Sequence, residues 1–174
     1  MANIRRLTRK KLGEILLAQG LVTTEQVQEV ISEQESTGEL SGEIFVRWDY
    51  ASEYDIACAV ATQFSTPFIR CSSYKIPRDV MTLIPASFMR RHLIVPVDKF
   101  GDTLAVVIAG PIEDDAIVDQ LEEMTESNIQ VYIGTVSDVK TAIEQIEKVT
   151  QNKPQPSAQP PEEQPPQPVT GEPA

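Results

Sequence analysis

The first part of the chain contains one segment twice, and this internal repeat constrains the fold more than any other feature. Residues 11–34 align with residues 40–63 at an offset of 29 residues, and most apolar positions stay apolar. The identical pairs are Gly13/Gly42, Glu14/Glu43, Ile15/Ile44 and Gln34/Gln63. Segments related in this way are one structural unit used twice, so we expect the two copies to share a fold.

Each copy is predicted to form a helix, a turn and a second helix. In the first copy, Gly20 is placed for a left-handed helix cap. Thr23 with Gln26 three residues later has the form of a capping box, which marks the start of the second helix. Ser52 and Asp55 take the same places in the second copy. The repeat therefore predicts two consecutive helical hairpins.

After these hairpins the pattern changes to short helices and strands, which predicts a small sheet with helices packed on it. The expected strands are Ile94–Val97, Leu104–Ala109 and Ile129–Ile133, with a turn at residues 99–102. The expected helices are Arg78–Leu83, Ala86–Leu93, Asp114–Met124 and a last helix capped by Ser137. The predicted fold class is α+β, with tandem helical hairpins over residues 1–66, a polar connector at 35–39 between them, a three-stranded α/β subdomain over 67–150 and a disordered Pro-rich tail over 151–174.

The tail carries eight prolines in the 24 residues Gln151–Ala174 and almost nothing that could be buried. No packed core is expected from such a composition. Three interpretations remain open for it: an inert segment, a tether, and a ligand for a partner that binds proline-rich segments.

Charge is distributed unevenly along the chain. The formal net charge is −11, and a field of this sign disfavours a general nucleic-acid binder. Five of the fifteen lysines and arginines nevertheless lie in the first eleven residues, where there is no acid. The remainder of the chain is therefore strongly acidic.

Signals for an enzyme, a metal centre or a membrane span are missing from the sequence. The single histidine, His92, ends an Arg90-Arg91-His92 run that is typical of a helix C-terminal turn. Cys58, predicted to be a small buried residue, and Cys71 are too few for a disulfide framework or a thiolate metal site. The sequence contains no Gly-x4-Gly-Lys-Ser/Thr loop, the motif that holds ATP phosphates. No apolar run approaches the roughly 18 residues that span a bilayer. We expect a non-catalytic cytoplasmic protein without a signal peptide; an enzyme acting through His92 is the rival hypothesis.

The first copy reads Lys-Leu-Gly-x-x-Leu-Leu-x-x-Gly-Leu-Val-x4-Val-x3-Ile-x2-Gln from Lys11. It resembles the 24-residue motif of the MshEN family, the cyclic di-GMP-binding, GspE N-terminal type of domain found in type II secretion and type IV pilus assembly ATPases. Lys11 departs from the usual Arg, and Val27 and Ile31 from Leu. The family carries two such motifs with a five-residue spacer, as here, and residues 84–92 and 101–111 resemble its αβ part.

This resemblance implies a stand-alone module of secretion or pilus machinery without the ATPase domain. Its expected function is that of a non-catalytic adaptor or regulator, and its expected partners are secretion or pilus assembly proteins at the cytoplasmic face of the inner membrane. Cyclic di-GMP is the ligand that the resemblance implies; no other cofactor and no metal is expected.

The residue types of the first copy suit such a ligand, which offers two phosphates and two guanines. Lysine and arginine neutralise phosphate, glycines let backbone approach closely, leucines cover guanine faces, and a glutamine amide can bond a guanine edge twice. The predicted binding residues are Arg9, Lys11, Leu12, Gly13, Leu16, Leu17, Gly20, Leu21, Gln34, Gly42 and Gln63. The alternative is that the leucines are core residues, the glycines are caps and the bases form a solvated arm.

The second copy is less suited to an anionic ligand. Leu40 replaces the basic residue, Ser41 the leucine and Asp49 the second glycine. Loss of a phosphate partner and introduction of a negative charge would each cost about 1 to 3 kcal/mol of binding free energy. A purely structural docking module that has lost nucleotide binding is therefore the alternative function.

Overall fold

The computed structural model describes residues 11–110 and 116–151. Within this part of the chain the helices are α1 (Leu12–Ala18), α2 (Thr24–Thr37), α3 (Ser41–Arg47), α4 (Glu53–Gln63), α5 (Arg78–Met81), α6 (Ala86–His92), α7 (Ala116–Thr125) and α8 (Val136–Gln151). The strands are β1 (Ile94–Phe100), β2 (Thr103–Ala109) and β3 (Asn128–Gly134), and a 3-10 turn covers Cys71–Ser73. The predicted α+β fold class is confirmed. Arg9, Asp114 and residues 152–174 of the predicted tail lie outside the described residues.

The two copies repeat their backbone hydrogen bonds at the predicted offset. After α1, the N–H of Gly20 donates to the carbonyl of Leu17 and the N–H of Leu21 to that of Leu16, both at 3.0 Å. The same two bonds recur 29 residues later at 3.0 and 2.9 Å. Gly20 has a φ of 69° and its equivalent Asp49 a φ of 58°, so both helices end in a left-handed cap.

Both predicted capping boxes are present. The Thr23 hydroxyl accepts from the N–H of Gln26 at 3.3 Å, and the Gln26 side chain accepts from the N–H of Thr23 at 2.8 Å. Ser52 and Asp55 exchange the equivalent bonds at 3.2 and 3.1 Å. These bonds satisfy N–H groups that the first turn of a helix leaves without partners, which fixes where α2 and α4 begin.

The four helices exchange partners between the copies: α1 packs mainly on α4, and α2 on α3. Small residues permit the close crossing within each copy. A Cβ atom on Gly13 would lie 3.0 Å from Val27, and one on Gly42 would lie 3.1 Å from Ile56, the residue equivalent to Val27. The two glycines are therefore contact points of the helices.

The connector predicted at residues 35–39 is wrong in its extent. Helix α2 continues to Thr37, and Gly38, with a φ of 75°, ends it by donating to the carbonyl of Gln34 at 2.9 Å. The polar composition of these residues suits a solvated last turn as well as a loop. Only Gly38 provides the left-handed conformation at which the helix can stop.

Three strands form one sheet in the order β1-β2-β3, with β1 antiparallel and β3 parallel to β2. Each predicted strand is present and slightly longer than predicted. The predicted turn at residues 99–102 shortens to Gly101 and Asp102, because β1 extends to Phe100 past a register shift between Pro96 and Asp98. Helix α7 makes the crossover that a parallel pair requires.

The prediction that Ser137 caps the last helix is wrong. The Thr135 hydroxyl accepts from the N–H of Asp138 at 3.2 Å, so Thr135 takes the cap position. Ser137 instead donates its N–H and its hydroxyl to Glu53 of α4. Thr135 and Ser137 are both hydroxyl residues at the start of this helix, and the sequence alone did not separate them.

The helical copies join the sheet through one face of α4. Ala57, Val60 and Ala61 are buried there against Ile133 of β3. Cys58, on the same helix, is only partly buried, so its prediction as a buried core residue is wrong; Cys71 is the buried cysteine. The second copy is thus fixed to the α/β subdomain, and the first copy packs on the second.

Candidate functional site

The turn after α1 presents apolar side chains to solvent. Leu17 and Leu21 are each 40% exposed, and Gly20 between them has no atom within 4 Å of the position that a Cβ would take. Their equivalents in the second copy, Val46 and Tyr50, are half-buried. The first copy therefore offers an open apolar surface at a place where the second copy is partly covered.

Lys11 lies at the other end of α1 and is exposed. Its backbone N–H donates to the carboxylate of Glu14 at 3.3 Å, and the residue takes the N-cap position directly before the helix. Arg9, the second predicted phosphate partner, lies outside the described residues. A cation at this end of a helix is disfavoured by the helix dipole and would gain from an anion nearby.

Four of the predicted binding residues belong to the helix contacts. Leu16 is fully buried, so its side chain has no surface to offer a ligand in this conformation. Gly13 is covered by Val27, and Gly42 lies against Leu12, whose Cδ2 would be 3.5 Å from a Cβ there. Their positions account for the helix packing, and we leave them out of the surface that could contact a ligand.

Gln34 and Gln63 occupy equivalent positions near the ends of α2 and α4, and both are half-buried. Since Gly13 lies against Val27, the Lys11 end of α1 is near the first turn of α2. Gln34 is seven residues beyond Val27, about 10 Å along the helix axis. Lys11, Leu17, Leu21 and Gln34 are thus spread along the first hairpin and are not gathered at one point.

Sequence reasoning missed an open acidic groove of about 550 Å³, lined by Glu25, Gln28, Glu29, Ser32, Glu33 and Trp48. Its glutamates recur every four residues, which places them on one face of α2. That spacing was a signal, but the sequence could not show that Trp48 closes one side. Residues 11–66 carry ten carboxylates and two bases, so this groove lies in a strongly negative field.

One cation already lies beside the groove. Arg47 donates to Glu33 at 2.9 Å and to Glu39 at 2.6 Å, and its guanidinium carbon is 5.7 Å from the centre of the Trp48 ring. The hydrogen bond to Glu33 raises the pKa of Arg47. Tyr50 donates its hydroxyl to Glu29, and this bond raises the pKa of the phenol.

The predicted helix C-terminal turn at Arg90-Arg91-His92 is confirmed as the last turn of α6. Arg90 donates to Glu147 of α8, and the His92 ring centre lies 4.5 Å from that of Phe88. These contacts give the run a structural explanation. Within residues 11–110 and 116–151, no helix has both the length and the apolar character that crossing a membrane requires.

A family model for the MshEN domain matches residues 64–152, and the chain belongs to this family. The resemblance predicted from the repeat motif is thereby confirmed, although the match itself falls on the αβ part. The chain is similar to the type IV pilus assembly ATPase PilB of Myxococcus xanthus, with 28% identity over 134 residues, which are 77% of this chain and 24% of that protein. PilB of Thermus thermophilus is 27% identical over 130 residues, 74% of this chain and 14% of that protein. The chain thus spans about a quarter or less of these relatives.

Solved structures match over a longer part of the chain. The structure of MshE with cdg has a TM-score of 0.70 and 24% identity, covering 79% of this chain and 99% of that chain. The N-terminal domain of XpsE has a TM-score of 0.62 and 19% identity, covering 79% of this chain and 97% of that chain. These matches establish the fold and extend it into the helical copies.

Proposed function

We propose that this chain is a non-catalytic docking and regulatory module of type II secretion or type IV pilus assembly machinery, and that its first copy binds cyclic di-GMP. The family and the relation to pilus assembly ATPases support the first part. MshE was solved with cdg, which we read as cyclic di-GMP, and this supports the second.

One observation carries the ligand proposal: Leu17 and Leu21 remain 40% exposed on either side of a left-handed glycine. Two such side chains in solvent next to unshielded backbone suit the flat face of a purine. The exposed Lys11 supplies a cation for a phosphate, and the Gln34 amide a donor and an acceptor for a base edge. In the second copy, Asp49 brings a carboxylate to the position of Gly20, so we assign the ligand to the first copy.

Calorimetry with cyclic di-GMP tests this assignment. Replacing Lys11→Ala, or Leu17→Ala together with Leu21→Ala, should raise Kd about 5- to 150-fold, the equivalent of 1 to 3 kcal/mol. Leu40→Ala is the matched control, because it removes an exposed side chain at the position of the second copy equivalent to Lys11. Absence of heat with the wild-type chain at near-millimolar ligand would contradict the proposal.

The docking part is tested by capture of secretion or pilus assembly proteins on the immobilised chain, with and without the dinucleotide. We expect capture of proteins from the cytoplasmic face of the inner membrane and a change on adding ligand. If capture is unaffected by ligand and by Lys11→Ala with Gln34→Ala, the chain is a structural docking module that has lost the nucleotide. Phosphodiesterase or ATPase turnover that disappears in His92→Ala would instead establish an enzyme.

A further inference from the structure

The outer face of α2 is the equivalent of a face that is buried in the second copy. At an offset of 29 residues, Ala57, Val60 and Ala61 of α4 correspond to Gln28, Ile31 and Ser32 of α2. The three α4 residues are buried against β3, whereas Ile31 is 43% exposed and Gln28 and Ser32 line the open groove. The same helix face is thus an interface in one copy and open in the other.

The chemistry of the two faces is different. The α4 face is made of Ala and Val side chains, which suits a hydrophobic strand. The α2 face carries Glu25, Glu29 and Glu33 around Gln28 and Ser32, with the Trp48 ring at its side. Such a face would not take an apolar partner, but it suits a segment with several positive charges.

Arg47 illustrates the geometry that a cation adopts at this place. Its guanidinium bonds to Glu33 and lies 5.7 Å from the centre of the Trp48 ring, so carboxylate and aromatic contacts are made together. Glu29 and Glu25 lie one and two helical turns further towards the start of α2, with Glu29 bonded to the neutral Tyr50 hydroxyl. These two carboxylates leave room for further cations along the same face.

A complementary segment exists in the chain itself. Residues 1–10 contain Arg5, Arg6, Arg9 and Lys10 and no acid, a net charge of +4 directly before the exposed Lys11. Ten residues reach up to about 33 Å, while Glu25 and Glu33 are only about 12 Å apart along α2. Because Gly13 contacts Val27, next to Gln28 of the groove, the segment starts from the flank of this face.

We propose that the outer face of α2 is the docking site of the basic segment 1–10 of the same chain. The segment covers Trp48 and pairs its bases with Glu25, Glu29 and Glu33. In the first copy the docked segment would overlap, at Gln28 and Ser32, the helix face that β3 covers in the second. The inference does not depend on dinucleotide binding, and its test contains no dinucleotide, so the two proposals can fail separately.

Trp48 is the only tryptophan, so its fluorescence reports on the groove alone. In the full chain with Arg5, Arg6, Arg9 and Lys10 all changed to Gln, we expect quenching by neutral acrylamide to become about twofold stronger, because the ring loses its cover. One molar salt should have the same effect on the wild type, since it shortens the Debye length to about 3 Å. The control is Glu35→Gln with Glu43→Gln, which removes two acids outside the groove and should leave the quenching unchanged.

Carbodiimide cross-linking, which joins an amine directly to a carboxylate, identifies the contact. We expect Lys10 to be linked to Glu25, Glu29 or Glu33 within one molecule, and the link to be lost in one molar salt. Unchanged quenching in the basic-segment variant, or no link to these glutamates, would overturn the proposal. In a mixture of isotope-labelled and unlabelled chains, links between labelled and unlabelled molecules would overturn it in favour of contact between copies.

Discussion

Glu53 accepts two hydrogen bonds from Ser137, one from the backbone N–H at 3.0 Å and one from the hydroxyl at 2.9 Å. The two residues are separated by 84 positions and lie in the first turns of α4 and α8. One carboxylate thus lies at the positive ends of two helix dipoles and satisfies an N–H that α8 cannot pair internally. It ties the second copy to the α/β subdomain.

Replacing Glu53→Ala should therefore lower the free energy of unfolding by about 1 kcal/mol, since one charged acceptor with two donors is lost. Urea denaturation followed by circular dichroism measures the change. Glu43→Ala is the matched control, because Glu43 is exposed in the first turn of α3. Equal losses of unfolding free energy in the two variants would show that the bonds from Ser137 to Glu53 contribute nothing to stability.

Leu16 and Leu17 are adjacent in sequence but should have separate functions. Leu16→Ala removes a fully buried side chain and should cost about 2 to 5 kcal/mol of stability. Leu17→Ala removes a side chain that is 40% exposed and should cost less than about 1 kcal/mol. Thermal denaturation measures both, and a comparable loss at Leu17 would mean that its exposed surface is covered in solution.

The left-handed cap at Asp49 is a site where stability can be increased. Its φ of 58° is unfavourable for a residue with a Cβ, and its carboxylate lies at the negative end of the α3 dipole. Asp49→Gly should stabilise the fold by about 0.5 to 1 kcal/mol. Gly20→Asp, the reverse change at the equivalent position, should destabilise it by a similar amount. Chemical denaturation measures both variants, and a loss of stability in Asp49→Gly would show that the two caps are not equivalent.

Cys71 should make the stability of the fold depend on alkaline pH. Burial, with the nearby Asp138 carboxylate, raises the pKa of this thiol to about 12, against about 8.5 in an unfolded chain. The folded state holds the proton more tightly. The stabilisation of the fold by the protonated Cys71 thiol is therefore complete below about pH 8.5 and is lost as the pH rises towards 12. Relative to Cys71→Ala, the wild type should lose about 1 kcal/mol per pH unit in this window.

The reactivity of the two cysteines provides the accompanying measurement. At about pH 8 iodoacetamide should alkylate the partly exposed Cys58 and leave Cys71 unmodified until the protein unfolds. A stability curve for Cys71→Ala parallel to that of the wild type from about pH 8 to 10 would contradict the raised pKa.

The sequence predicted those elements whose signals are local. Thr23 with Gln26, and Ser52 with Asp55, bond within their own helix turns, so their types and spacing were sufficient. The bond between Ser137 and Glu53 depends on two elements meeting in the fold, and no local pattern encodes it. In α1, Leu12, Ile15 and Leu16 recur at the spacing of one helix face, which indicates that Leu16 points inwards, but the ligand motif took Leu16 and Leu17 together.

The same distinction holds for the candidate site. The motif predicted Lys11, Leu17, Gly20 and Leu21, which are exposed, but it could not separate them from residues that hold the helices together. The acidic groove was missed because it needs the Trp48 ring, which another helix brings beside α2. Surfaces built from two copies at once are not visible in an alignment of one copy with the other.

The exchange of partners among the first four helices has a consequence for how this duplication can evolve. Since α1 packs mainly on α4 and α2 mainly on α3, neither hairpin forms a complete hydrophobic core by itself. A deletion that removed either copy would expose the apolar face of the remaining one, so we expect the two copies to fold only as a pair. Substitutions should be tolerated best on the outer helix faces, where the two copies already differ.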